Sequence, residues 1–158
     1  MTWIFLITLT ACASSGSVKR PAYSGEDGVG SLDQAMIIGQ WRGRILNPIE
    51  GEETADAPVM NYMADGQFVY DSRVDTGGMG VFELQFTGTW QVDGEWIRHE
   101  VTDIQERSGN ALGALANLFK GRMLKNSNAR LNVYEADNDR IVVVSDDGMA
   151  QEWTRMTP

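Results

Sequence analysis

Two side chains in this sequence offer strong ligand or nucleophile chemistry, and each stands alone. Cys12 is the one cysteine and His99 the one histidine. A structural zinc site draws four ligands chiefly from thiolate and imidazole, so zinc is not expected. Carboxylates cluster at Glu50, Glu52 and Glu53, and again at Glu135, Asp137 and Asp139. Neither cluster follows the glycine-centred spacing of a calcium loop, and solvated turn chemistry accounts for both. Serine hydrolysis lacks its framework, because no G-x-S-x-G stretch holds a nucleophile on a constrained turn. No catalytic residue, metal site or cofactor is assigned, and the chain is not expected to be an enzyme. His99 is a candidate haem ligand through its neutral imidazole; a hydrogen-bonded structural histidine is the simpler account.

The setting of Cys12 is more specific. Trp3 to Leu9 is apolar except for Thr8, and Ala11-Cys12-Ala13-Ser14-Ser15-Gly16 follows at once. A bilayer span takes about 20 apolar residues, so this run is too short for one and fits the hydrophobic region of an export signal. Leu9-Thr10-Ala11-Cys12 resembles the bacterial lipobox. The resemblance implies that residues 1–11 are a signal peptide and that Cys12 is acylated (a palmitate-type lipoprotein), anchoring the protein to a membrane. No Lys or Arg precedes the run, although export signals begin with a positive region; Met1 is therefore read as an internal start. Ala13 in place of an aspartate resembles enterobacterial lipoproteins of the outer membrane, which implies a periplasm-facing location in the cell envelope.

Cleavage before Cys12 leaves 158 − 11 = 147 residues, ample for one domain with its own core. Residues 12–30 comprise the lipidated cysteine and a small, polar, glycine-rich stretch expected to be a flexible tether. The folded domain is placed at 31–158. With 22 acidic and 13 basic residues the formal charge is −9, which disfavours a phosphate backbone; no nucleic-acid partner is expected. The stretch from Arg107 to Arg130 nevertheless carries no Asp or Glu.

Alternating apolar and polar residues punctuated by Asp-Gly dominate the rest. Asp65-Gly66, Asp93-Gly94 and Asp147-Gly148 each interrupt strand-like sequence, and Asp-Gly tolerates the positive φ of tight hairpin turns. Strands are predicted near 40–46, 58–64, 67–75, 80–92, 95–106, 128–136, 139–145 and 149–156. Eight strands with short links predict an antiparallel up-and-down barrel or a sandwich. In "VFELQFTGTWQV", Phe82, Leu84, Phe86, Gly88, Trp90 and Val92 share one face. If Asp93-Gly94 closes a two-residue turn, Trp90 lies opposite Ile97, Gly88 opposite His99, Phe86 opposite Val101 and Leu84 opposite Asp103. His99 and Asp103 then point inward, with Gly88 leaving room beside His99. "SLDQAMII" predicts a short helix with Ser31 as N-cap and Gly39 at its end. Leu112, Leu115, Ala116, Phe119 and Met123 predict a second, inserted helix near 110–125. Its basic residues Lys120, Arg122 and Lys125 would let it lie on a membrane or close the mouth; packing on the barrel is the plainer expectation.

The helix leading into Gly39-Gln40-Trp41 resembles the G-x-W signature of the lipocalins and the wider calycin group. The resemblance covers roughly residues 31–156 and implies an all-β, eight-stranded barrel whose closed end is plugged by Trp41. It also implies that Arg155 packs against Trp41 and that the long first loop, "NPIEGEETADAP", covers the open mouth. The inserted helix departs from that family, whose helix follows the last strand. The barrel is expected to bind a small apolar ligand among Phe82, Leu84, Phe86 and Trp90, with His99 and Asp103 orienting a polar end. The alternative is a partner-binding module, a periplasmic protease inhibitor or an envelope assembly factor, that meets an envelope protein through its loops rather than a cavity.

Overall fold

Alternation becomes a closed sheet. The computed structural model describes residues 20–26, 28–29, 31–49, 57–75, 81–108, 120–121, 124–125 and 127–157. One turn of helix, α1 (Gln34–Ile37), precedes eight strands: β1 (Gly39–Ile45), β2 (Val59–Tyr62), β3 (Gln67–Asp75), β4 (Val81–Asp93), β5 (Trp96–Glu106), β6 (Ala129–Ala136), β7 (Arg140–Ser145) and β8 (Ala150–Arg155). The expected limits differ from these by at most two residues at either end. Each strand pairs antiparallel with the next, and β8 returns to β1 with Trp41 opposite Arg155 and Gly43 opposite Trp153. That last ladder makes the sheet a barrel and removes its edges. The fold class is all-β, an eight-stranded up-and-down barrel.

Two local expectations are corrected. Asp33, not Ser31, caps α1: its carboxylate accepts the Ala35 N–H at 2.9 Å, satisfying one of the helix's orphan donors. The β4–β5 hairpin turns on Gly94-Glu95, with Asp93 opposite Trp96 and Gly94 at φ +64°. The register therefore slides by two residues from the expected one, which keeps every side chain on its face. Trp90 lies opposite His99 and Gly88 opposite Val101. A bulge then intervenes, so that Thr87 faces Asp103 and Phe86 faces Ile104. One extra residue reverses the alternation beyond it. Ile104 is buried, whereas Asp103 points outward to Lys120 at 2.5 Å. Asp103 is thus not an interior residue.

Gly88 sits beside that bulge for a steric reason. A Cβ there would lie 2.0 Å from the Glu100 carbonyl oxygen and 2.9 Å from the Phe68 ring. The room it leaves is for Phe68 and the bulged strand, not directly for His99.

Loops alternate between two ends. The closed end carries α1, the start of β1 and the tight β2–β3, β4–β5 and β6–β7 turns. There Trp41 is fully buried, and its Nε1 donates to the Ile37 carbonyl at 2.8 Å. The Arg155 guanidinium lies 4.1 Å from the Trp41 ring centre. It donates to the carbonyls of Met36 at 2.6 Å, Ile38 at 2.8 Å and Asn138. Carbonyls freed where α1 ends thereby gain a charged donor. Gly39, at φ +131°, permits this: a Cβ would fall 2.6 Å from Arg155 Nη1.

Lys120, Gly121, Leu124 and Lys125 are helical; the rest of the helix expected near 110–125 lies outside the described residues. So do the expected signal peptide, Cys12, and residues 50–56 of the expected mouth loop.

Candidate functional site

Opposite the Trp41 plug, the barrel holds a cavity of about 470 Å³. Its apolar wall comes from Met60, Phe68, Tyr70, Phe86, Val101, Leu131, Met149 and Trp153. These are inward positions of β2 to β6 and β8, with Met149 from the β7–β8 turn. Tyr70 packs against Phe86 (5.7 Å between ring centres) and Trp153 (6.2 Å), which fixes three of the rings that frame the space.

The cavity lies where the wall parts. β5 and β6 pair only from Trp96–His99 to Asn132–Ala129. Beyond His99, β5 continues to Glu106 while β6 has not yet begun. The Val101 N–H, which a longer β6 would occupy, instead donates to Asn128 Oδ1 at 3.0 Å. Ser127, Asn128 and Arg130 on this side, and Ser145, Asp146 and Asp147 at the β7–β8 turn, complete a polar rim.

Among the described residues, His99 and Gln151 are the buried polar residues of the interior wall. His99 Nε2 lies 2.8 Å from the Tyr62 hydroxyl, and Phe68 meets its ring edge-on at 4.9 Å. Burial pushes its pKa down to about 4, with the nearby Ala129 carbonyl acting weakly the other way. Nδ1 is buried and makes no hydrogen bond of good geometry. Burial likewise raises the Tyr62 phenol well above its ordinary value. Both groups are neutral at physiological pH. At the rim, the Ser145 hydroxyl donates to Asp147 and holds its carboxyl below the usual range. Arg130 lies 3.4 Å from Asp146 and stacks 4.0 Å over the Trp96 ring.

The sequence-expected ligand residues separate accordingly. Phe86 and His99 line the cavity. Trp90 is buried below it, against Tyr62 at 4.7 Å, with Nε1 donating to the Met63 carbonyl at 3.1 Å. Leu84 is half-buried and lies outside the cavity wall. Asp103 faces out, and the Phe82 side chain lies outside the described residues. Haem ligation has little room here, because Nε2 is engaged by Tyr62 and Nδ1 is covered. Among the described residues, no group of three or more His, Cys, Asp or Glu is placed to hold a metal ion.

Met60, Leu131, Gln151 and Trp153 also line the cavity, and the sequence reading missed all four. The signal for two of them was present. Arg155 was expected against Trp41, and strict alternation puts Gln151 and Trp153 on the same face.

Scanning protein-family models gives no match, and neither does a search of curated proteins. Among solved structures, a lipocalin-like protein from Bacteroides uniformis ATCC 8492 is similar at a TM-score of 0.45 and 12% identity, covering 77% of this chain and 99% of that one. An uncharacterized protein from Bacteroides eggerthii DSM 20697 is similar at a TM-score of 0.49 and 16% identity, covering 75% and 98%. The barrel itself stands on its own strand ladder, closed between β1 and β8.

Proposed function

We propose that this protein is a non-enzymatic carrier that binds a small apolar molecule in the open-end cavity. The observation that carries the reading is the cavity, about 470 Å³ and walled by aromatic and aliphatic side chains. Small-molecule sites typically measure roughly 300–1,000 Å³, apolar with a few fixed polar groups. An eight-stranded barrel is the size that holds one such ligand. His99 and Gln151 supply the polar groups, neutral and therefore suited to an uncharged or weakly polar end.

The place of action is a bacterial envelope membrane, with Cys12 as the acylated anchor and the outer membrane's periplasmic face as the site. This part rests on Leu9-Thr10-Ala11-Cys12 and the apolar run before it. The test is native mass spectrometry of protein purified from envelopes under mild conditions. One bound small apolar molecule per chain is expected. Protein that stays empty after exposure to a total envelope lipid extract would rule the carrier out.

A further inference from the structure

We infer that the open mouth of the barrel faces the bilayer, held there by the chain segment that joins the fold at the mouth's rim. This rests on Cys12 being the anchor. Arg20 begins the described chain, and its guanidinium donates to the Asn47 carbonyl at 3.0 Å. Asn47 follows β1 where that strand reaches the open end, and it is buried. Its amide donates to the carbonyls of Pro21 at 2.7 Å and Gly148 at 2.9 Å, and its oxygen accepts the Ala150 N–H at 2.8 Å. The turn it ties down is the one whose Asp146, Asp147 and Met149 line the cavity.

From there the segment runs down the outside of the barrel. Tyr23 packs edge-on against Tyr134 at 5.6 Å and donates to Glu135 at 3.3 Å. Val142, opposite Glu135 on the outer face, is fully buried. Leu32 N–H reaches the Gly94 carbonyl at 3.1 Å, at the closed end. The polarity is unambiguous: the anchor side of the segment meets the mouth, and the far side meets the plug. From Arg20 onward the stretch expected to be a tether is therefore strapped to the barrel.

Lengths then exclude the reverse orientation. Cys12 and Arg20 are 20 − 12 = 8 residues apart. That many residues reach about 28 Å at most. The thirteen residues of β4, rising about 3.3 Å each and tilted near 40°, give the barrel a height of about 33 Å. The rim is held within about 28 Å of the lipid, whereas the plug lies about 33 Å beyond the rim, so a plug-down orientation would exceed the reach of the joining segment. An apolar ligand would pass between bilayer and cavity with little exposure to water.

The test is energy transfer from a single labelled cysteine to an acceptor lipid, using full-length protein processed and acylated in a bacterial host and reconstituted into phosphatidylethanolamine/phosphatidylglycerol vesicles. Acylation consumes Cys12, so Asp146→Cys at the mouth or Asn138→Cys at the closed end is the one free thiol. At least about twofold greater transfer from position 146 is expected at matched labelling. Equal transfer, or greater transfer from 138, overturns the orientation; so does transfer mainly between labelled copies, which would put a second chain over the mouth. A second preparation replaces residues 1–12 with a histidine tag held on nickel-chelating vesicles and should show the same order. A mature N-terminus without acyl groups would defeat the anchor, and the orientation of the native protein with it. Acylated protein with equal transfer would defeat the orientation alone.

Discussion

The hydroxyl of Tyr62 lies 2.8 Å from Nε2 of His99, inside the barrel and shielded from water. If the phenol donates, the imidazole is neutral with its proton on Nδ1, and one buried donor is left without a good acceptor. The reverse tautomer would strand two groups. Desolvation enforces neutrality either way, because an imidazolium here would be a buried cation with no carboxylate beside it.

That neutrality makes stability depend on pH. An unfolded histidine titrates near 6.5, and folding pushes His99 down to about 4. Between those values the unfolded chain binds the extra proton, so stability is full above pH 6.5 and declines as pH falls towards 4. The loss should total roughly 3 kcal/mol. Urea unfolding at steps from pH 7.5 to 4.5 measures it, and His99→Gln should flatten the profile in that window. The carboxylates of Asp147 and Glu152, held low by their hydrogen bonds, lose their contribution only in more acid solution.

Tyr62→Phe removes the hydroxyl but keeps the ring against Trp90. His99 Nε2 is then buried without a partner, which costs about 1–3 kcal/mol. A lower urea midpoint with an unchanged slope is the expected result. An unaltered midpoint would show that the hydrogen bond contributes nothing net.

At the closed end, Arg155→Lys should destabilise by about 2–4 kcal/mol, because an ammonium cannot span the carbonyls of Met36, Ile38 and Asn138 while stacking on Trp41. Gly39→Ala strains a residue at φ +131° and drives a methyl into Arg155, at about 1–3 kcal/mol. The two sites share one contact, so the double variant Gly39→Ala/Arg155→Ala should cost less than the sum of the singles. Strict additivity in thermal or urea unfolding would contradict the contact.

The strands were legible because a barrel wall with one dry face writes period two into the chain, and Asp-Gly marks where it turns. Gly39, Trp41 and Arg155 were readable through resemblance to a known signature. The bulge opposite the Thr87–Gly88 step was not: it leaves no mark in "EVTDI", and it alone sends Asp103 outward. The cavity was legible only in part. Phe86 and His99 announce themselves on long alternating strands, but the space lies where β6 starts late, at Ala129. A missing stretch of pairing has no residue of its own to read. Asn47 was equally silent, a polar loop residue whose role as a clasp appears only once Pro21, Gly148 and Ala150 are beside it.

The carrier reading is tested most directly by filling the cavity. Val101 lies on β5 opposite Gly88, in the cavity wall where β5 and β6 part. Val101→Trp projects an indole into that space while leaving the plug untouched. Titration with an apolar dye that brightens in dry surroundings should saturate at one site in the native protein. It should weaken at least about tenfold in a variant that still unfolds cooperatively. Equal dye affinity in both proteins, or no saturable binding by the native one, would contradict a ligand-holding barrel.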